Sequence, residues 1–136
     1  MLSVNRLDTP RFVCVLAALA CGLALSAMPG GATAQQVRML VQSSPLAGFR
    51  YHQAAEVFRD MRAGDALALS REPDNPHDPK AIRVDWQGVK LGYVPRAQNA
   101  AVAWAMDRGE RLSARVSRLQ THRNPRKRIE FEVYVD

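Results

Sequence analysis

Three groups of residues in this chain have the types and spacing to meet a ligand. Arg50-Tyr51 sets a permanent cation beside an aromatic ring. The run Glu72-Pro73-Asp74-Asn75-Pro76-His77-Asp78-Pro79 gathers carboxylates, an amide and an imidazole in a loop stiffened by three prolines. Arg123, Arg126, Lys127 and Arg128 crowd positive charge into one short segment. None of the three has the make-up of a reacting centre. The chain has no phosphate-cradling P-loop, no Gly-x-Ser-x-Gly elbow and no His-Glu-x-x-His pair. His52, His77 and His122 lie far apart and show no ligand spacing, so neither a metal nor a cofactor is expected. No catalytic residue is assigned. Each group also has an ordinary structural explanation. Asx side chains and prolines build any rigid turn, a charged hairpin tip guards a strand edge, and Arg50-Tyr51 is acceptable as a rim pair.

The elements that must position these residues can be read from period and punctuation. Val37–Val41 reads as a first strand, ended by Ser44-Pro45 because proline cannot continue a ladder. Leu46–His52 reads as a bent connection into a helical turn around Ala54–Met61. Ala66–Arg71 is a strand, and the proline-rich loop follows it. From Lys80 to Trp86, Ile82, Val84 and Trp86 alternate with Arg83 and Asp85, as in a half-buried strand. Gln87-Gly88 turns the chain into Val89–Val94, which makes a hairpin. An alanine-rich run after Asn99, a good N-cap residue, predicts a helix closed by Gly109. Its Trp104, like Tyr93, falls in a periodic apolar segment and is expected in the core. Two strands finish the chain, Leu112–Leu119 and Ile129–Val135, with the basic loop between them. The fold class expected is mainly β with α: a small barrel of five or six strands, one clear helix and a second short one. Closure would hide the strand edges.

The N-terminus reads differently. Phe12–Ala27 is an apolar run behind Arg6 and Arg11, leading through Pro29-Gly30-Gly31 to Ala32-Thr33-Ala34. That is the layout of a secretory signal, with cleavage expected after Ala34, leaving residues 35–136 as one domain. The alternative is a retained anchor, but the uninterrupted run falls short of the ~20 residues a spanning helix needs. Lipidation at Cys21 is disfavoured by Ala18 three residues before it. Cleavage removes Arg6, Arg11 and Asp8, so the formal charge of +6 falls by one and the domain stays basic. It also removes Cys14 and Cys21, the only cysteines, which excludes a disulfide framework, a thiolate metal site and a cysteine nucleophile from residues 35–136. The expected setting is periplasmic or secreted, with no stable membrane span after processing.

Three blocks carry a family resemblance: Ala47-Gly48-Phe49-Arg50-Tyr51, the stretch Leu69–Val84 with its Arg-acid-Pro-x-Asn-Pro-x-Asp core, and Leu91-Gly92-Tyr93-Val94-Pro95-Arg96 followed by Asn99. In order and spacing they resemble the HIRAN domain, a module also found at the front of helicase-like ATPases. The resemblance implies an OB-like barrel that captures the 3′ end of single-stranded DNA. It implies that Arg50 meets phosphate and Tyr51 stacks on a base. His77 would stack from the other side, Asp78 would accept a bond from the terminal hydroxyl, Asn75 would make a polar backbone contact, and Arg96 would meet phosphate. Two positions depart from the pattern. His77 stands where the best-studied relatives have Tyr, and Asp74 stands where they have Asn.

The physics of such a site is consistent. Stacking on an aromatic contributes ~1–3 kcal/mol per base and requires unpaired bases, so Tyr51 and His77 would select single strands. A carboxylate repels a continuing phosphate and accepts from a free hydroxyl. Surrounding Arg and Lys would make binding fall steeply with salt. The expected partner is single-stranded DNA or another nucleic acid with a free 3′ end, bound by a monomer. The ATPase and RING parts of larger relatives are absent from these residues, so no enzyme activity is expected. An export signal on such a module raises an alternative: an interaction module whose basic surface meets an anionic envelope polymer or an acidic protein.

Overall fold

Alternation of apolar and polar side chains decides where the strands lie. A computed structural model describes Gly31 and residues 37–136. The signal-like segment and its cleavage point at Ala34 lie outside the described residues. The chain order is β1 (Met39–Pro45), α1 (Ala54–Val57), β2 (Ala66–Arg71), β3 (Ile82–Trp86), β4 (Val89–Tyr93), α2 (Ala100–Asp107), β5 (Leu112–Leu119) and β6 (Ile129–Val135), with a 3-10 turn at Pro125–Lys127. Ile82, Val84 and Trp86 are buried while Arg83 and Asp85 are not. In β6 the same rule buries Ile129, Phe131 and Val133 and leaves Glu130, Glu132 and Tyr134 partly exposed. Fully burying such apolar side chains stabilises the fold by about 1.5–3 kcal/mol each.

All pairings are antiparallel, in the order β1-β6-β5-β2-β3-β4. The outer face of β5 and β6 is laced by cross-strand charge pairs. Arg115 faces Glu132 and Arg118 faces Glu130, each as an ion pair. The register slips in three places, between Leu40 and Gln42, between Val84 and Asp85, and between Val116 and Arg118. Such bulges add twist and bend a sheet.

The sheet is mainly β and OB-like as expected, but it is not closed along its strands. Its two edges meet at one pair of residues. Ala47, just beyond β1, and Tyr93, at the end of β4, exchange two backbone hydrogen bonds of 2.9 Å. Gly92 makes that approach possible, because a Cβ there would lie 2.1 Å from the Ala47 carbonyl oxygen.

Helix α2 corrects two expectations. Val102, Ala103 and Ala105 face the core, whereas Trp104 points outward and is 55% exposed. Tyr93, by contrast, is partly buried. Asn99 precedes the helix as expected but makes no side-chain cap. Its buried amide instead donates to Asp78 Oδ2 at 2.6 Å, which ties the start of α2 to the proline-rich loop. Among the described residues no helix is long and apolar enough to cross a membrane.

Candidate nucleic-acid interface

The turn after β1 is held by what it buries and presents what it does not. Leu46 and Phe49 are in the core, and the Tyr51 N–H donates to the Gly48 carbonyl at 2.9 Å. That anchoring leaves Arg50 exposed and Tyr51 85% exposed. An aromatic ring this free of packing contributes little to the fold.

The Glu72–Lys80 loop is fixed by its own side chains. The Asn75 Oδ1 accepts from the His77 N–H at 2.9 Å, and the Asp78 Oδ1 accepts from the Lys80 N–H at 2.9 Å. Asn75 Nδ2 and the Tyr93 hydroxyl both donate to Glu72 Oε2, at 3.0 and 2.8 Å. The Arg71 guanidinium donates to the carbonyls of Pro79 and Ala81 while paired with Asp107. With both ends clamped, the loop is a rigid platform rather than a tether.

These bonds also set charge. Desolvation works to raise the Glu72 pKa, but donation from Asn75 and Tyr93 and the nearby Lys90 and Arg83 outweigh it and hold the carboxyl below its ordinary value. Desolvation is likewise opposed at Asp78, where the Lys80 N–H, Asn99, and the charges of Arg96 and Lys80 lower the pKa. Both groups are therefore acceptors only at neutral pH. His52 moves the other way for an imidazole: burial, reinforced by Lys90, lowers its pKa and keeps it neutral.

Turn and loop come together. Tyr51, Asn75, His77, Asp78 and Arg96 line one cavity of about 540 Å³, floored by Ala47, Ala81 and Val94. Arg50 does not line it. It lines an adjoining cavity of about 600 Å³, whose walls include Tyr51 and Arg96 again. Tyr51 and Arg96 thus stand at the boundary of both hollows. Asn75 and Asp78 serve the loop as well as the cavity, since their side chains are already bonded within it. A carboxylate has about four lone-pair sites, so Asp78 keeps room for a further donor.

Three residues, His52, Tyr93 and Asn99, escaped the sequence reading as parts of this site. His52 and Tyr93 line the cavity, with rings 5.5 Å apart edge to face. Asn99 donates to Asp78 and Glu72 accepts from Asn75, which fixes the loop that carries the site. Tyr93 follows Gly92 in a pattern that reads simply as strand, and Asn99 reads as a cap. No local signal links either to the loop. The site can therefore stack a planar group on Tyr51, offer guanidinium charge to an anion, and accept a hydrogen bond at Asp78.

Comparison with known proteins identifies the domain. The HIRAN domain family profile matches residues 39–136. Helicase-like transcription factor of Mus musculus is 38% identical over 61 residues, 44% of this chain and 6% of that protein. A Fanconi-associated nuclease 1 homolog of Oryza sativa subsp. japonica is 33% identical over 73 residues, 51% of this chain and 7% of that protein. The chain thus matches less than a tenth of the length of either relative. A solved structure of a Lactobacillus plantarum protein superposes with a TM-score of 0.63 and 31% identity, covering 73% of this chain and 95% of that one. The HIRAN domain of human HLTF shares the fold, at a TM-score of 0.53 and 22% identity over 74% of this chain and 78% of that one. With the whole of the sheet and both cavity-lining segments inside the matched residues, this chain belongs to the HIRAN domain family.

Proposed function

We propose that the domain is a nucleic-acid-binding module that takes the 3′ end of a single strand into the cavity between Tyr51 and Asp78. One observation carries the reading. A ring that is 85% exposed and a carboxylate held ionised by its neighbours, from two distant segments of the chain, line the same cavity. The ring offers a face to an unpaired base, and the carboxylate accepts from a terminal hydroxyl. Arg50 and Arg96 supply phosphate attraction, and His77, which lines the same cavity, offers a second, smaller stacking surface. The signal-like N-terminus supports an encounter outside the cytoplasm, which N-terminal sequencing of the fractionated mature form tests: an intact Met1 in the cytosolic fraction would overturn it.

Fluorescence anisotropy with matched oligonucleotides tests the end reading. Like charges about 4 Å apart repel by about 1 kcal/mol in water and about 4 kcal/mol at an effective dielectric of 20. A strand ending in a 3′ phosphate should therefore bind at least about 5-fold more weakly than one ending in a 3′ hydroxyl, and Asp78→Asn should narrow that gap. Equal affinities for the two ends in the unaltered protein refute end reading. Absence of any binding at low salt refutes nucleic-acid binding itself.

A further inference from the structure

We infer that the domain pairs with a second copy of itself along the free edge of β1, in a two-fold antiparallel strand pairing centred on Met39. The inference does not depend on what the cavity binds.

The six-stranded sheet ends in two edge strands, β4 and β1. Along β4 the edge is covered, since the Gln53 N–H donates to the Lys90 carbonyl at 3.2 Å and Ala47 takes up both backbone groups of Tyr93. Along β1 the cover ends at Ser44, a buried residue whose hydroxyl donates to Gln98 at 2.9 Å. Before Ser44 the strand has β6 on one side, and among the described residues no backbone group of residues 39–43 bonds to any other element. An unpaired strand presents a row of N–H and C=O groups that another strand can complete.

The usual protections of an edge are missing here. Lysines, prolines and inward charges keep edge strands apart. Over residues 37–43 the one charged side chain is Arg38, and Asp136 takes it at 3.2 Å. Pro45 stands beyond Ser44. Of the five large apolar side chains that the described residues leave exposed, three, Val37, Met39 and Leu40, lie at this end of β1. An uncharged edge with an apolar surround fits an apolar strand.

The edge is its own complement. Side chains alternate along an extended strand, so Val37, Met39 and Val41 share one face and Arg38 and Leu40 the other. In an antiparallel pair centred on Met39, Val37 meets Val41 of the second copy and Met39 meets Met39, while Arg38 lies across from Leu40. Apolar meets apolar on the first face, and no two like charges are opposed. The two-fold axis makes every contact twice. The register slip between Leu40 and Gln42 falls at the limit of this span rather than within it. Pairing joins the two sheets into one. Ala47 lines the cavity, and at a rise of about 3.3 Å per residue the two cavities stand about 50 Å apart along the shared ribbon. The monomer expected from the sequence is then the dilute form.

Sedimentation equilibrium over roughly 1–500 μM, a range suited to the small area of an edge-on contact, should give a mass that rises with concentration from one chain towards two and no further. Met39→Lys sets two ammonium groups against each other at the axis and should weaken the dimer by about 10-fold or more. Ser43→Lys adds the same charge to the same strand outside the paired span and should change it less than about 3-fold at physiological salt. Both positions are exposed, so in dilute solution both variants should melt with the unaltered protein. Amide exchange of the unaltered protein gives a second reading: residues 39–41 should be protected at high concentration and lose that protection on dilution. A mass that stays at one chain, assembly beyond two chains, or equal weakening by the two substitutions overturns the pairing. Protection that persists on dilution overturns it too, because an earlier segment of the same chain then covers the edge.

Discussion

Replacing Gly92 with alanine tests whether the single meeting point of the sheet edges holds the fold and the site together. A Cβ at this position would sit 2.1 Å from the Ala47 carbonyl oxygen, below the 3.0 Å that real Cβ atoms respect. The backbone must retreat by roughly 1 Å, which strains or breaks both Ala47–Tyr93 hydrogen bonds. Each such bond contributes about 0.5–1.5 kcal/mol net, and crowding a packed position costs about 1–3 kcal/mol. The stiffer unfolded chain returns about 0.4–1 kcal/mol. The net loss expected is about 1–5.5 kcal/mol, and a domain of this size shifts about 4–8 °C in Tm per kcal/mol. Thermal unfolding followed by circular dichroism should show a fall of at least about 4 °C. Gly88→Ala is the control, because its φ is +79° but a Cβ there meets nothing within 4 Å. It isolates left-handed backbone strain, about 1–2 kcal/mol. The bridge also fixes the turn that presents Tyr51, so Gly92→Ala measured well below its Tm should bind single strands more weakly than Gly88→Ala. A Tm for Gly92→Ala no lower than that of Gly88→Ala would refute the reasoning.

Other substitutions and conditions separate binding from stability. Tyr51→Ala should cost about 1–3 kcal/mol of single-strand affinity with almost no change in Tm, because its ring is 85% exposed; unchanged affinity in the anisotropy assay removes Tyr51 from the site. Stability should fall in two stages as pH drops. His52 has a lowered pKa in the fold, so the unfolded chain takes its proton first and stability declines once pH passes below the ordinary imidazole value near 6.5. Glu72 and Asp78 are held below ordinary carboxylate values, so their contribution, complete above about pH 5, is lost as pH falls through their folded-state pKa values. Melting curves at pH 7.5, 5.5 and 3 check this, and a Tm that stays level over that range contradicts it.

Much of the fold was legible because its signals are local. The strands Ala66–Arg71, Leu112–Leu119 and Ile129–Val135 stand where alternation and turn residues put them. The hairpin turn does as well, with positive φ at both Gln87 and Gly88. What sequence could not supply depends on tertiary partners. Trp104 sits among alanines that give a helix no polar stripe, so which face turns inward is decided by the sheet. Asn99 has the chemistry of a cap, but Asp78 offers a charged acceptor and takes its amide. The contact between Ala47 and Tyr93 is made by backbone atoms of sequence-distant residues and leaves no mark beyond the glycine at position 92. The candidate site followed the same division. Family resemblance singled out Tyr51, Asn75, His77, Asp78 and Arg96, and the fold gathers them around one cavity. Arg50 stands one hollow away, a separation set by the reversal at Gly48 that no spacing rule encodes.

The bond from Asn99 to Asp78 gives the domain a built-in optical reporter. Trp86 is buried and donates to Asp65 at 3.0 Å, so its emission should stay constant whatever the surface does. Trp104 is open to water on the helix that Asn99 leads, and the Lys80 ammonium rests 5.2 Å from its ring centroid. Asp78 holds the Lys80 amide through one oxygen and, through the other, Asn99 at the start of the helix that carries Trp104. Occupancy at the carboxylate would therefore register as a change in the quenching and colour of one indole against the fixed signal of the second, with no dye attached.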